Sequence, residues 1–260
     1  MFRKMVAAGL IAMACTGCGG GSDSDDENKP DLVGTWIQTN DNYFTATDET
    51  FKIRRQTIIV TDLGDYLEFT DCISGNTLKA KINNNLVQFY AAGVPSLTIA
   101  NTSTLTTLIR GGSTETRVEM KKVSRDTTVE LADIAITQPE ILSTWDQVCV
   151  ETILDQFLDD EVKFKAVNET SAFTLGVNLM FDGDIAATTY DFSTGTNDAD
   201  GSITSLTLNA DLFDPAGTIA VVDGTSIDFD MDLEFDNSAN SSALPVVGSV
   251  EFDLNWFSYD

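Results

Sequence analysis

Short segments in which apolar and polar residues alternate fill residues 31–124. Residues 77–82 show the pattern well, because every second residue from Leu78 to Ile82 is apolar and lysines lie between them. Such alternation is typical of a β-strand with one buried face, since successive side chains point to opposite faces. The pattern predicts eight strands, at residues 32–38, 51–61, 66–70, 77–82, 86–91, 96–100, 103–109 and 116–122. The short, turn-forming gaps between them predict an antiparallel meander that forms a closed barrel or a sandwich.

Longer alternating segments with one acidic side follow after residue 125. Every second residue is apolar in 173–181, 227–236 and 250–256, and carboxylates fill the positions between them in 227–236. An apolar face turned inward and an acidic face in water is the pattern of an antiparallel sheet that is packed on one side. We therefore expect an all-β chain whose small N-terminal barrel is followed by a second, acidic antiparallel β-sandwich or barrel.

Residues 138–148 fit two different structures. Thr137 and Glu140 have the spacing of a helix capping box, with Pro139 near the first turn, which predicts one short helix near 138–148. The same region resembles the start of the first segment, since residues 30–38 and 139–147 are identical at four of nine positions. That similarity predicts a second, tandem β-domain. Both alternatives remain open from the sequence.

The charge balance changes sharply between the two β-segments. Residues 31–124 contain ten acidic and nine basic residues, whereas residues 125–260 contain 27 acidic and three basic residues. We place a domain boundary between these ranges because composition rarely shifts so strongly within one domain. The net charge of −26 disfavours binding to nucleic acid and favours cationic or divalent partners.

Histidine is absent from the sequence. The chain therefore lacks the usual general base and the commonest transition-metal ligand. No nucleophile motif and no glycine-rich phosphate loop occurs either. We expect that the protein is not an enzyme and requires no organic cofactor.

The first eighteen residues are organised like an export signal. A basic start precedes an apolar stretch at residues 5–15, which is too short to span a bilayer. The Thr16-Gly17-Cys18 sequence resembles the lipobox of bacterial lipoprotein signals, although Cys15 stands where leucine is usual. The resemblance implies that residues 1–18 end at a lipidated Cys18, which carries diacylglyceryl and N-acyl chains. Cleavage before Cys15 and an ordinary secretory signal remain alternatives.

Residues 19–30 connect this site to the first strand. They contain glycine, serine and acidic residues and no apolar side chain before Pro30, which predicts a disordered acidic tether. In the lipoprotein family, aspartate after the lipidated cysteine marks inner-membrane retention. Gly19 therefore implies attachment to the outer membrane, on its periplasmic or surface face, with the membrane as a partner through the N-terminal lipid.

The first predicted strand carries Gly34, Thr35 and Trp36. This sequence resembles the Gly-x-Trp start of lipocalins and related small barrels. In those families the tryptophan closes one end of the barrel, and the other end admits a ligand. The resemblance implies that residues 31–124 form a lipocalin-like β-domain and that a small hydrophobic molecule is its ligand. Trp36 acting only as a core residue is the alternative.

The acidic side of the late strands is a candidate cation site. Carboxylates on one strand face lie about 6.5–7 Å apart, which is too far for neighbours on one strand to share an ion. Pairing of residues 227–236 with 249–257 would place further carboxylates opposite them, and Ca²⁺ would relieve the repulsion. The candidate ligands are Asp228, Asp230, Asp232, Glu234, Glu251 and Asp253. A solubilising surface that binds no specific ion is the alternative.

Two of the four cysteines, Cys72 and Cys149, lie after the signal. In an oxidising compartment such a pair is expected to form a disulfide, here one that joins the two β-segments. Two buried thiols are the alternative.

These features predict a lipid-anchored envelope lipoprotein that binds or hands over a small hydrophobic ligand. The alternative function is that of a structural or interaction protein, which uses the acidic face to bind a cationic or protein partner, with or without Ca²⁺.

Overall fold

The computed structural model describes residues 30–138, 145–168, 173–181, 183–185, 189–192, 201–208, 211–221, 228–237 and 240–252. Their regular secondary structure is entirely β, in agreement with the predicted fold class. None of these ranges contains a helix with the length and hydropathy of a transmembrane span. Cys18 and the tether up to residue 29 lie outside the described residues, so their assignments stay predictions.

The first eight strands form a closed barrel. Each strand pairs antiparallel with the next one, and the eighth pairs with the first. The strands are β1 (Gly34–Phe44), β2 (Glu49–Asp62), β3 (Leu67–Asp71), β4 (Thr77–Asn83), β5 (Leu86–Phe89), β6 (Leu97–Asn101), β7 (Thr104–Gly111) and β8 (Thr114–Ser124). Each predicted strand overlaps one of these. The prediction of a small lipocalin-like barrel is therefore confirmed.

The barrel is filled with apolar side chains near the end where β1 begins. Trp36 lies opposite Ile58 in the β1–β2 ladder, and both side chains are buried. Alternate positions of the other strands complete this core, which comprises Leu32, Trp36, Ile58, Val60, Leu67, Phe69, Ala80, Val87, Leu97, Leu105, Val118 and Met120. The period-2 pattern thus places one apolar face of every strand inside.

Nine further strands occur among the described residues after 131, and they also pair antiparallel. They are β9 (Ala132–Gln138), β10 (Gln147–Asp155), β11 (Glu161–Asn168), β12 (Phe173–Phe181), β13 (Thr189–Phe192), β14 (Gly201–Leu208), β15 (Asp211–Val221), β16 (Asp228–Asn237) and β17 (Asn240–Phe252). The pairing runs from β10 through β11, β12, β14, β15, β16 and β17 to β9, and β13 pairs with β15. Just before β9, Glu130 forms an isolated parallel bridge with Val148 of β10.

The helix considered near 138–148 is not formed at either described end of that range. Gln138 is the last residue of β9, and Gln147 is the first residue of β10. Strand pairing satisfies the backbone at both places, because Gln138 is paired with Val247 and Gln147 with Val167. Residues 139–144 lie outside the described residues.

The strand ladder continues between the barrel and the later strands. The final five residues of β2 pair with β3, while Lys52–Gln56 pair with Asp155–Glu151 of β10. On the edge of β2 that faces away from β1, the first half of the strand therefore pairs with β10 and the second half with β3. The buried face of β10, β11 and β12 is apolar and includes Val150, Leu154, Val162, Phe164, Ala166, Leu175, Val177, Leu179 and Phe181.

Candidate functional site

Trp36 closes the end of the barrel at which the chain enters. Its side chain is fully buried, and its Nε1 donates a hydrogen bond to the carbonyl oxygen of Leu32 at 2.9 Å. The Lys122 ammonium lies 5.4 Å from the centre of the Trp36 ring and donates to the carbonyl oxygen of Asp31 at 2.8 Å. Burial lowers the pKa of Lys122. These contacts hold the segment before β1, which contains Asp31 and Leu32, against β8, the last strand of the barrel.

The two residues before Trp36 also have structural roles. Gly34 has a φ of +135°, and a Cβ at this position would collide with the carbonyl oxygen of Ser124. A side chain is therefore excluded where β1 approaches the end of β8. Thr35 is buried, and its hydroxyl donates to the carbonyl oxygen of Asp126 at 2.7 Å. The Gly34-Thr35-Trp36 sequence thus shapes the closed end of the barrel.

A cavity of about 420 Å³ opens at the other end of the barrel. Its volume is within the range of roughly 300–1,000 Å³ that is typical of small-molecule sites. The lining comes from all eight strands and from the turns beside them: Gln38, Asn40, Gln56, Ile58, Phe69, Asp71, Asn76, Thr77, Leu78, Phe89, Val94, Pro95, Leu97, Thr107, Ile109, Thr116 and Val118. The cavity borders the core around Trp36, because Ile58, Phe69, Leu97 and Val118 belong to both.

The cavity has an aromatic side and a side rich in amides and hydroxyls, here called the apolar side and the polar side, although Asp71, Asn76 and Thr77 on and beside β3 and β4 also belong to the lining. Phe69 and Phe89 meet edge to face on the apolar side, with ring centres 5.2 Å apart. Leu97 continues this surface from the buried core. β1, β2, β7 and β8 supply amide and hydroxyl side chains to the polar side, namely Gln38, Asn40, Gln56, Thr107 and Thr116. A ligand with one apolar and one polar edge matches this division.

The amides of the polar side are partly paired with one another. Gln38 donates from Nε2 to Oδ1 of Asn40 at 3.0 Å. Gln56 lies directly opposite Gln38 in the β1–β2 ladder and is 7% exposed. Its Oε1 has no hydrogen-bond partner. The cavity wall therefore contains a buried acceptor that the described protein groups leave unsatisfied.

The charges near the mouth of the cavity are already engaged. Asp71, the acidic residue of the lining, accepts backbone hydrogen bonds from Ile73 and Ser74 at 3.0 and 3.2 Å. Arg54 reaches from β2 to Glu151 of β10 at 3.1 Å and lies 3.8 Å from Asp71. No lysine or arginine is among the described residues of the lining. The lining therefore offers no cationic side chain to a ligand.

Cys72 and Cys149 form a disulfide, with their Cα atoms 5.9 Å apart. Cys72 begins the turn between β3 and β4, and Asn76 of that turn lines the cavity. Cys149 lies on β10 and is 1% exposed. Lys165 on β11 donates to the carbonyl oxygen of Cys72 at 3.4 Å. The turn at the cavity rim is thus tied to the strands beyond the barrel.

Five of the six candidate calcium ligands lie on β16 and β17. The register places Asp228 opposite Glu251, whereas Asp230, Asp232 and Glu234 lie opposite Ser249, Val247 and Pro245. Strand pairing thus aligns one of the predicted carboxylate pairs. Asp253 lies outside the described residues. The calcium site stays a prediction; where side chains are described, no group of three metal-binding residues occurs.

Sequence reasoning missed the polar side of the cavity. The signal was present, because Gln38 and Asn40 continue the alternation that begins with Trp36, and Gln56 does so before Ile58. Polar residues in phase with core residues indicate an interior that is not filled by apolar side chains. Only the closed pairing of β1, β2, β7 and β8 shows that these positions line one space.

The chain matches no protein family, and no curated protein is detectably similar to it. Among solved structures, the crystal structure of Rv2717c from M. tuberculosis is similar at 7% sequence identity, over 85% of this chain and 92% of that one, with a TM-score of 0.14. So low a TM-score supports no argument about fold or function. The fold itself defines a closed antiparallel β-barrel with an open-ended cavity, which is compatible with ligand binding.

Proposed function

We propose that this protein is a non-enzymatic, lipid-anchored envelope lipoprotein that binds or hands over a small hydrophobic ligand in the open end of its barrel. The observation that supports the proposal is the cavity of about 420 Å³ above the buried Trp36 core. A well-packed barrel of this size would fill its interior with side chains. Space lined by Phe69, Phe89 and Leu97 is better suited to an apolar ligand than to water.

The path of the chain is consistent with this arrangement. Leu32 is buried in the core beside Trp36, so the chain enters the barrel at the closed end. The predicted tether and lipid at Cys18 precede this point. Attachment there leaves the mouth of the cavity, at the far end of β1, free for exchange with a second carrier or a membrane. A handover role requires such access.

Ligand occupancy can be tested on the full chain from its own host. We expect native mass spectrometry to detect a bound small molecule, and the fluorescence of N-phenyl-1-naphthylamine to rise on binding. Thr107→Phe should block the cavity, because Thr107 is part of its lining. Thr106→Phe is the matched control, since successive residues of β7 face opposite sides of the barrel wall.

Two outcomes would contradict the proposal. One is that the unmodified chain carries no small molecule and does not bind N-phenyl-1-naphthylamine. The other is that the Thr107→Phe variant binds this probe as tightly as the Thr106→Phe variant does. Membrane attachment is tested separately: Cys18→Ser should release the protein from membranes, and a variant that remains with the membrane fraction would rule out this anchor.

The alternative function, an interaction protein with an acidic face, is supported by the register of β16. Asp228 lies opposite Glu251, and Asp236 lies opposite Asp214. Like charges at directly opposite positions destabilise a ladder, and a divalent cation or a cationic partner would relieve them. Calorimetric titration with Ca²⁺ tests this function. Absence of heat, together with an unchanged melting temperature, would leave the acidic face with a solubilising role only.

A further inference from the structure

The unsatisfied oxygen of Gln56 indicates what kind of molecule the cavity accepts. Gln56 is 7% exposed, lies on β2 within the cavity lining, and has no partner for its Oε1. A buried acceptor that has lost water and gained no donor is costly in free energy. A ligand that brings a donor to this oxygen would recover that cost, whereas a ligand without a donor would not.

Neither neighbour across the ladder supplies this hydrogen bond. Gln38, opposite Gln56 on one side, uses its Nε2 on Asn40. Glu151, opposite on the other side, is a carboxylate that pairs with Arg54 and Lys163. Two residues along β2, the Nε of Arg54 is a buried donor that also lacks a partner. A hydrogen bond from Arg54 Nε to Gln56 Oε1 is therefore the main alternative to a hydrogen bond from a ligand. The experiment must distinguish these two roles of Gln56.

The remaining lining limits the charge and shape of the ligand. The described lining residues include no lysine or arginine to hold an anion, and the carboxylate of Asp71 is engaged by backbone groups of its own turn. Burial of an unpaired charge in such a site is strongly unfavourable. Phe69 and Phe89 present an aromatic wall to the cavity. An uncharged body about the size of fused rings fits against that wall.

We propose that the cavity selects uncharged amphipathic molecules that carry a hydroxyl or amide N–H on an apolar ring system. The donor contacts Oε1 of Gln56, and the ring system packs against Phe69 and Phe89. This inference rests on the proposed ligand-binding function and adds to it a requirement for the chemistry of the ligand. It makes Gln56 the specificity-determining residue of the site.

Three probes with one ring system and different polar groups test the requirement. We expect the full chain to bind 2-naphthol about three- to tenfold more tightly than 2-methoxynaphthalene, which is the effect of one neutral hydrogen bond. The carboxylate of 2-naphthoate should bind more weakly than either, because it would be buried without a cation. Fluorescence titration at neutral pH measures all three dissociation constants.

Gln56→Leu removes the acceptor and replaces the amide with an apolar side chain of similar size. In this variant 2-naphthol should lose its advantage, while 2-methoxynaphthalene should bind at least as tightly as before. Gln88→Leu is the matched control. Gln88 lies on β5 beside the inward-facing Phe89, and its Oε1 accepts from Asn83 at 3.3 Å. The control should keep the selectivity of the unmodified chain.

The possible outcomes separate the two proposals. If 2-naphthol and 2-methoxynaphthalene bind the unmodified chain equally, or if the preference survives in Gln56→Leu, the role of Gln56 is overturned while ligand binding stands. If Gln56→Leu changes the free energy of unfolding but not the selectivity, Gln56 accepts a hydrogen bond from Arg54 and not from the ligand. The inference is then also overturned. If none of the three probes binds, this inference fails; the proposed function fails with it only if the chain also carries no small molecule and does not bind N-phenyl-1-naphthylamine.

Discussion

Cys72 and Cys149, joined by a disulfide with Cα atoms 5.9 Å apart, connect the rim of the barrel to β10, the strand that pairs with the first half of β2. The bond closes a sequence separation of 77 residues. Links between β2 and β10 lie beside it, among them the backbone ladder, the Arg54–Glu151 ion pair, and the Lys52–Asp155 ion pair at 2.9 Å. Contacts with β10, a strand outside the barrel, therefore restrain the turn and the strand that border the cavity mouth.

Removal of the disulfide should destabilise the protein. We expect Cys72→Ala with Cys149→Ala to lower the free energy of unfolding by about 2–4 kcal/mol, because the unfolded chain regains the freedom of a long loop. Denaturant unfolding measures the change. A reducing agent should produce a similar loss in the unmodified chain and none in the double variant. An unchanged midpoint under reduction would show that the bond does not support the fold.

Gly34 should tolerate a side chain less well than another glycine with positive φ. We expect Gly34→Ala to cost about 2 kcal/mol or more, because backbone strain of about 1–3 kcal/mol adds to a collision with the backbone of Ser124. Gly93→Ala is the matched control, since it shares a positive φ but has open space around it. Thermal unfolding compares the two variants. Equal losses would mean that the close approach of β1 to β8 is unimportant.

Loss of the Trp36 contact should weaken the closed end. Trp36→Phe removes the donor to the Leu32 carbonyl oxygen and leaves a void in a fully buried position. We expect the free energy of unfolding to fall by about 2–4 kcal/mol, through the lost hydrogen bond and imperfect packing together. Denaturant unfolding, with binding of N-phenyl-1-naphthylamine measured in parallel, tests this. Unfolding that is unaffected would show that Trp36 does not hold the closed end together.

Asp160 should make stability depend on pH. Burial raises the pKa of its carboxyl group to about 6, although backbone hydrogen bonds from Ile185 and Asp155 oppose the shift. Because the folded-state pKa exceeds the unfolded value of about 3.9, the stabilising contribution is complete below pH 4 and is lost as pH rises through 6. Over that window the change should reach about 3 kcal/mol.

Unfolding measured between pH 4 and pH 7 checks this expectation. Asp160→Asn cannot titrate, so the part of the decline that belongs to Asp160 should disappear. Asp159→Asn is the control: this residue is exposed, although its Oδ1 accepts from the backbone of Gly183 at 3.2 Å. If both variants keep the pH dependence of the unmodified chain, Asp160 does not titrate in this window.

The strand pattern could be predicted from the sequence, but some strand ends could not. β1 was expected to end at residue 38, and it continues to Phe44. Its polar second half resembles a loop in the sequence. In the barrel, Asn40 is paired with Arg54 on one side and with Val118 on the other. Those two ladders satisfy the backbone and keep the polar segment extended, and they depend on residues far away in the chain.

The sequence by itself determined the all-β class, the eight strands of the barrel and the place of Trp36 in its core, because alternation and turn residues act locally. The tertiary structure decided the closure of β8 on β1, the sharing of β2 with β10, and the cavity with its unsatisfied Gln56. These features depend on the pairing of distant strands and on packing in three dimensions. No local pattern specifies which strands meet or how much space they enclose.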